Sequence, residues 1–148
     1  MNMVECRDVK KIYRQGKMEV QALRGVTLSI EKGAFMALAG PSGSGKTTLL
    51  NIIGGLDAAD SGTVVVDGDT LAGMGQGELA DMRLRKVGFV FQSYNLIPVL
   101  SARENVEFIM LLQGVSPRER RDRALSILEE VGLAGLHDRR PAELSGGQ

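Results

Sequence analysis

The octapeptide GPSGSGKT, residues 40–47, has the spacing G-x-x-x-x-G-K-[ST]. It follows the short apolar run FMALAG at residues 35–40, which favours a buried parallel strand. It precedes KTTLLNIIGGL at residues 46–56, which favours a buried helix ended by glycines. Glycines let the backbone point consecutive N–H groups inward, and the helix N-terminus adds the positive end of its dipole. The stretch therefore predicts a loop that binds phosphate groups.

Within this loop, the side chains have distinct predicted roles. Lys46 would reach the β- and γ-phosphates of a nucleotide, and the Thr47 hydroxyl would be a ligand of Mg²⁺. Thr48 either contacts the α-phosphate or only begins the helix. The predicted nucleotide-binding positions of the segment are Gly40, Pro41, Ser42, Gly43, Ser44, Gly45, Lys46, Thr47 and Thr48.

Composition limits the class of protein. With 148 residues and 43% apolar residues, the chain is long enough for one domain with a core of its own. Lysine plus arginine and aspartate plus glutamate both number 18, so the balance of charge favours neither a nucleic-acid partner nor an anionic membrane surface. A single cysteine, Cys6, excludes an internal disulfide framework and fits a reducing compartment.

Outward from the loop, the first part of the chain is predicted to be rich in strands and the last part helical. MVECRDVKKIY at 3–13, VTLSI at 26–30 and SGTVVVDG at 61–68 favour strands. VGFVF at 87–91 favours a second buried strand after a polar helix near 78–85. SARE at 101–104 and SPRE at 116–119 fit the capping box that begins a helix. These patterns predict an α/β protein with a helical insertion at about 101–140.

Two further motifs suggest a family. LSGGQ at residues 144–148 lies about a hundred residues after the phosphate loop, and VFQSYNLIP at 90–98 lies between them. Together the three motifs resemble the nucleotide-binding subunit of ABC transporters. The sequence of residues 52–68 and 87–107 is similar to the sequences of one branch of this family. That branch contains lipoprotein-releasing, macrolide-exporting and antimicrobial-peptide-resistance ATPases.

The resemblance implies a P-loop NTPase fold of the ABC type, with a β-rich N-terminal part, a parallel core sheet and a helical insertion. Residues 1–148 would be the N-terminal two-thirds of one such domain. Within it, residues 1–92 would form the ATP-binding core with its antiparallel part, 93–143 the helical subdomain and 144–148 the signature motif.

The same resemblance assigns residues around the base and the reacting phosphate. Tyr13 would stack on adenine, although a strand tyrosine that only packs on the sheet is the alternative. Val20 would pack beside the same ring. Gln92 would contact both Mg²⁺ and the attacking water, and with Lys46 it would be a catalytic residue.

Partners also follow from the resemblance. The signature residues Ser145, Gly146, Gly147 and Gln148 would close over the γ-phosphate held by a second ATP-binding subunit, so ATP would draw two subunits together head to tail. No apolar run reaches the ~18 residues of a membrane span, so transmembrane permease subunits would be separate partners, or the membrane part would be a segment outside residues 1–148. The ATP-binding subunit would lie at the cytoplasmic face of the membrane. The apolar cluster at residues 94–100 either receives the permease or fills the core of the insertion.

Several working parts of the family are expected beyond residue 148. Such domains run to roughly 220 to 240 residues, and the remaining part would hold the Walker B aspartate, the catalytic glutamate and the switch histidine. His137 lies before the signature and is no substitute, so no catalytic base can be named.

The complete parent is expected to be an ATPase. Residues 1–148 alone lack the strands expected between 35–40 and 87–91, so they are expected to be unstable. A soluble ABC-type ATPase without a membrane partner and a hydrolysis-incompetent binding fragment are the alternatives. The sequence does not encode the transported substrate in any readable way.

Overall fold

The computed structural model describes residues 2–16, 18–91 and 93–148. They form two compact units, Met1–Val87 and Gly88–Gln148. The predicted division into 1–92, 93–143 and 144–148 remains a prediction. The boundary between the two compact units lies between Val87 and Gly88.

The first unit is built on one antiparallel sheet in the order β2-β1-β3-β4. Its strands are β1 (Asn2–Gln15), β2 (Met18–Glu31), β3 (Ser61–Val66) and β4 (Asp69–Thr70). β2 is longer than the strand predicted at 26–30, because pairing with β1 extends it over 14 residues. Alternation along β1 places Val4 and Cys6 in the core, and a shift of register between Cys6 and Val9 brings Val9 to the same side.

Two helices cover the buried side of this sheet. They are α1 (Lys46–Ile53), which begins at the phosphate loop as predicted, and α2 (Gln76–Lys86). Leu49 and Ile52 of α1 and Leu79 and Met82 of α2 join the strand residues in a single apolar cluster. Burial of Leu49 and Ile52 packs α1 against the sheet.

The predicted parallel core sheet is not formed among the described residues. FMALAG at 35–40 and VGFVF at 87–91 take part in no strand, and Phe35 and Val90 are fully exposed. The prediction that both segments are buried strands is therefore wrong for the part of the chain that the structure describes. A parallel strand becomes buried only between hydrogen-bonded neighbours, and no described strand pairs with either segment. In the second unit, the rings of Phe89 and Phe91 instead stack on each other, with their centroids 5.6 Å apart.

The second unit is helical, as the sequence predicts. It contains α3 (Ala102–Leu112), α4 (Pro117–Glu130) and a short 3₁₀ helix (Pro141–Glu143). Ser101 and Glu104 form the complete predicted capping box, whereas at α4 only the Ser116 hydroxyl accepts from the Glu119 amide. Across the described residues, no helix combines the length and the apolar character that a membrane crossing requires.

Candidate functional site

The phosphate loop is anchored on the sheet through Gly45. This residue caps α1 in the left-handed conformation, with φ 89°. A Cβ atom at this position would lie 2.5 Å from the carbonyl oxygen of Ala22 and 3.0 Å from Cδ2 of Leu23. Both contacts belong to β2, so the loop can approach the strand only because Gly45 has no side chain.

Lys46 directs its ammonium group into the loop. Nζ donates to the carbonyl oxygens of Gly40 at 2.8 Å and Pro41 at 2.7 Å, and it lies 3.2 Å from Oγ of Ser44. A lysine ammonium has three donors, and these contacts direct all of them at the loop. The positive charge is therefore held at the centre of the segment predicted to bind phosphates.

The N-terminus of α1 offers free backbone donors to an anion. Its cap makes no side-chain hydrogen bond, and the first turn contains no acidic residue. Thr47 is exposed at this end and Thr48 is half-buried, while the Leu49 amide already donates to Gly45. The first-turn amides and the dipole of α1 are thus available to a phosphate group.

The predicted base-stacking residues lie beside each other on the same sheet. Tyr13 and Val20 are directly opposite in the β1–β2 register, and Lys11 is opposite Leu23, which touches Gly45. Tyr13 is 41% exposed and Val20 is 55% exposed, so both present surface to solvent. In the first unit, the phosphate loop therefore approaches β2 at Ala22 and Leu23, and the exposed ring of Tyr13 lies nearby on β1.

Sequence reasoning missed two residues that contact Tyr13. The Tyr13 hydroxyl donates to Oδ2 of Asp57 at 2.7 Å, and Nζ of Lys11 donates to Oδ1 of the same carboxylate at 2.7 Å. Lys11 is predictable in part, because residues two apart on a strand share a face. Asp57 is 44 positions from Tyr13, and no local pattern marks that contact.

Charge and burial at this cluster shift two pKa values in opposite directions. Burial alone would raise the pKa of Asp57, but hydrogen bonds from Lys11, Tyr13 and the Ala58 amide outweigh it and lower that pKa. Burial alone would lower the pKa of Lys11, but the hydrogen bond and charge of Asp57 outweigh it and raise that pKa. Both groups are therefore held in their charged forms at neutral pH.

The predicted signature residues form an exposed turn in the second unit. The Gln148 amide donates to the Ser145 carbonyl at 3.0 Å, and the Ser145 amide donates to Oε1 of Gln148 at 2.9 Å. The Tyr94 hydroxyl donates to the Gly146 carbonyl at 2.7 Å. Ser145, Gly146, Gly147 and Gln148 are all exposed. Gln92, the other predicted catalytic residue, lies outside the described residues.

The apolar cluster at 94–100 is divided between solvent and protein. Its members Tyr94, Leu96 and Val99 are exposed, whereas Ile97 and Leu100 are half-buried. The turn is held by Asn105, another residue that the sequence did not single out. The Asn105 side chain accepts from the Ile97 amide and donates to the carbonyls of Ile97, Leu100 and Ser101. Neither of the two predicted uses of the cluster accounts for all of its members.

A family model described as ABC transporter matches residues 23–148. The chain belongs to this family. The match includes the phosphate loop, the helical unit and the signature turn, so the resemblance carried by the three motifs is confirmed.

Curated relatives extend the similarity to the strands that precede the family match. The chain is 50% identical over 146 residues to an uncharacterized ABC transporter ATP-binding protein of Thermotoga maritima, which covers 99% of this chain and 62% of that protein. It is 45% identical over 148 residues to the macrolide export ATP-binding/permease protein MacB of Neisseria gonorrhoeae, covering 100% of this chain and 23% of MacB. The chain thus spans less than two-thirds of the length of these relatives.

Solved structures agree with the fold. Two dimeric structures of the ABC transporter cassette MJ0796, one of them bound to ADP and Pi, match with a TM-score of 0.90 and 43% identity. Each match covers 99% of this chain and 65% of the solved chain. The predicted fold class, an incomplete ABC-type P-loop domain, is confirmed.

Proposed function

We propose that the chain is the ATP-binding part of an ABC transporter. The observation that carries this proposal is the loop at 40–47, in which the Lys46 ammonium and the uncapped N-terminus of α1 converge where phosphates would bind. When ATP binds there, Lys46 would give up some of its hydrogen bonds to the loop and would contact the β- and γ-phosphates of ATP instead. Tyr13 and Val20 would hold the adenine ring.

Mg²⁺ fits this site as a cofactor that relies mainly on the nucleotide. Among the described residues, no group of three or more histidine, cysteine, aspartate or glutamate side chains could hold a metal ion. Mg²⁺ commonly takes few protein ligands and keeps water and phosphate oxygens instead. The exposed Thr47 hydroxyl would be one protein ligand and Gln92 a second, and the ion would neutralise charge on the phosphates.

A second ATP-binding subunit is the first partner in this proposal. Ser145 and the two following glycines are exposed, which leaves their hydroxyl and amide groups accessible to a nucleotide on another subunit. The cassettes similar to this chain were solved as dimers. ATP held between two such subunits would favour a head-to-tail pair, and hydrolysis would release it. The balanced charge of the chain favours no nucleic-acid partner.

A membrane permease is the second proposed partner. MacB is named as an ATP-binding/permease protein, and this chain matches 23% of its length. The exposed side chains of Tyr94, Leu96 and Val99 offer an apolar surface to such a partner. ATP binding and hydrolysis would drive the permease to export or extract a lipoprotein, peptide or drug-like substrate. The ATPase would be bound peripherally at the cytoplasmic face of the membrane.

The direct test is Lys46→Ala in the full-length gene product. We expect ATP affinity to fall roughly tenfold or more, because a charge-assisted contact to phosphate is lost, and ATP turnover to cease. Calorimetry would measure binding and phosphate release would measure turnover. Lys32→Ala removes the same charge from an exposed turn outside the loop and should leave both unchanged. Turnover of Lys46→Ala at the unmodified rate would refute the assignment of the loop.

A further inference from the structure

We propose that Lys11 and Asp57 are positioning residues that fix the ring of Tyr13, so that a nucleotide base stacks on one defined face of it. This inference rests on the proposed function, because it concerns how ATP would be held. The two residues lie in the same compact unit as the phosphate loop. Their role would be to set the base platform before the nucleotide binds.

The orientation of the ring is fixed by its hydroxyl. Tyr13 donates to Oδ2 of Asp57 at 2.7 Å, while Oδ1 of the same carboxylate accepts from Lys11 and from the Ala58 amide, both at 2.7 Å. A carboxylate held by three donors has little freedom to rotate. An exposed tyrosine with such a partner is restrained in a way that an exposed phenylalanine would not be.

One face of the ring is already occupied. Nζ of Lys11 lies over the Tyr13 ring at 5.2 Å from its centroid, a cation–π distance. The same ammonium donates to the Ala58 carbonyl at 2.7 Å, and Lys11 is only 9% exposed. Because this lysine is buried and paired, a base cannot displace it at low cost. Stacking is therefore directed to the face of Tyr13 that Lys11 does not cover.

The carboxylate that holds Tyr13 is itself fixed on the helix that follows the phosphate loop. The amides of Leu56 and Asp57 donate to the Asn51 carbonyl near the C-terminal end of α1, at 2.8 and 3.2 Å. At 8 residues, α1 is about 12 Å long. One rigid helix thus carries the phosphate loop at its start and the anchor of the base platform at its end.

A second connection joins the platform to the loop through β2. Leu23 is opposite Lys11 in the β1–β2 register, and it touches the loop at Gly45. Asp57 therefore links Tyr13 to the loop through α1, and Lys11 links it to the loop through β2. Rigid placement of a stacking group lowers the entropy that binding must overcome.

The test compares ATP with inorganic tripolyphosphate, which has the phosphate chain but no base or ribose. Lys11→Met and Asp57→Asn are made in the full-length gene product, and binding of each ligand is measured by calorimetry. We expect ATP affinity to fall roughly three- to tenfold in each variant and tripolyphosphate affinity to stay unchanged. Lys86→Met is the matched control, because Lys86 is paired instead with Asp67 and Asp69 on the same unit.

Tyr13→Phe keeps the test decisive if a variant at 11 or 57 fails to fold. It retains the ring and removes only the hydroxyl that Asp57 holds. ATP affinity should fall between those of the unmodified protein and Tyr13→Leu, which loses the stacking face as well. Equal affinity of Tyr13→Phe and the unmodified protein would overturn the positioning role.

The other outcomes also decide the matter. Parallel losses for ATP and tripolyphosphate would show a purely structural role for Lys11 and Asp57, and so would an equal loss of ATP binding in Lys86→Met. Unchanged ATP binding in both variants would overturn the inference while leaving the proposed function intact. An unmodified protein that binds neither ligand would overturn the proposed function and this inference together.

Discussion

Two loops of this chain are rich in serine and glycine and are predicted to contact phosphate, but they are held in different ways. The loop at 40–47 leads into α1, whose Leu49 and Ile52 are in the core, and its Gly45 touches the backbone of β2. The turn at 144–148 is exposed and is held by hydrogen bonds among Ser145, Gln148, Gly146 and Tyr94. The first loop therefore owes its shape to the folded core, whereas the second can change without unfolding the protein.

The largest effect is expected for Gly45→Ala. The new Cβ would lie 2.5 Å from the Ala22 carbonyl oxygen, and the left-handed backbone would be strained as well. We expect the free energy of unfolding to fall by about 2–5 kcal/mol and ATP binding to be lost. Chemical denaturation of the full-length gene product measures the first quantity.

Gly43→Ala is the matched control for that prediction. Gly43 has φ 80°, but a Cβ at this position would meet nothing within 4 Å. Backbone strain alone should cost about 1–2 kcal/mol. Equal destabilisation by the two alanines would show that the contact with β2 does not hold the loop.

A smaller and more selective effect is expected for Ser145→Arg. Ser145 is exposed, so the unfolding free energy should change by no more than about 0.5 kcal/mol, and ATP binding at 40–47 should persist. Pairing of two subunits should be lost, because the arginine would occupy the space of the other subunit's γ-phosphate. Size measurement with ATP under non-hydrolysing conditions detects the pair.

Ser126→Arg provides the control, since it places the same side chain on an exposed position of α4. It should leave ATP-driven pairing intact. Loss of pairing in both variants would point to a general effect of charge, and pairing that survives Ser145→Arg would refute the role of the signature turn.

The same contrast shows which features the sequence could predict. The phosphate loop was predictable because its eight consecutive residues carry their own geometry, and β1 was predictable from its alternation of apolar and polar positions. FMALAG at 35–40 was misread because an apolar run indicates a preference for burial but does not supply the neighbouring strands. Asp57 was missed because its contact with Tyr13 joins positions far apart in the chain. Local patterns thus predict the phosphate loop. Contacts between distant residues decide whether an apolar run becomes a buried strand and which side chain holds Tyr13.

The smallest effect is expected for Tyr94→Phe, which tests how the exposed turn is held. The substitution removes the hydroxyl that donates to the Gly146 carbonyl at 2.7 Å and leaves the ring in place. One neutral hydrogen bond near solvent contributes about 1 kcal/mol, so exchange of the Gln148 amide should become roughly two- to tenfold faster while global unfolding is unchanged. Hydrogen exchange of the full-length gene product measures both. Tyr13→Phe removes a tyrosine hydroxyl hydrogen bond in the other unit, to the Asp57 carboxylate, and should not affect the Gln148 amide. If that amide exchanges equally fast in the unmodified protein and in Tyr94→Phe, the Tyr94 hydroxyl does not hold the turn, and the contacts between Ser145 and Gln148 are sufficient.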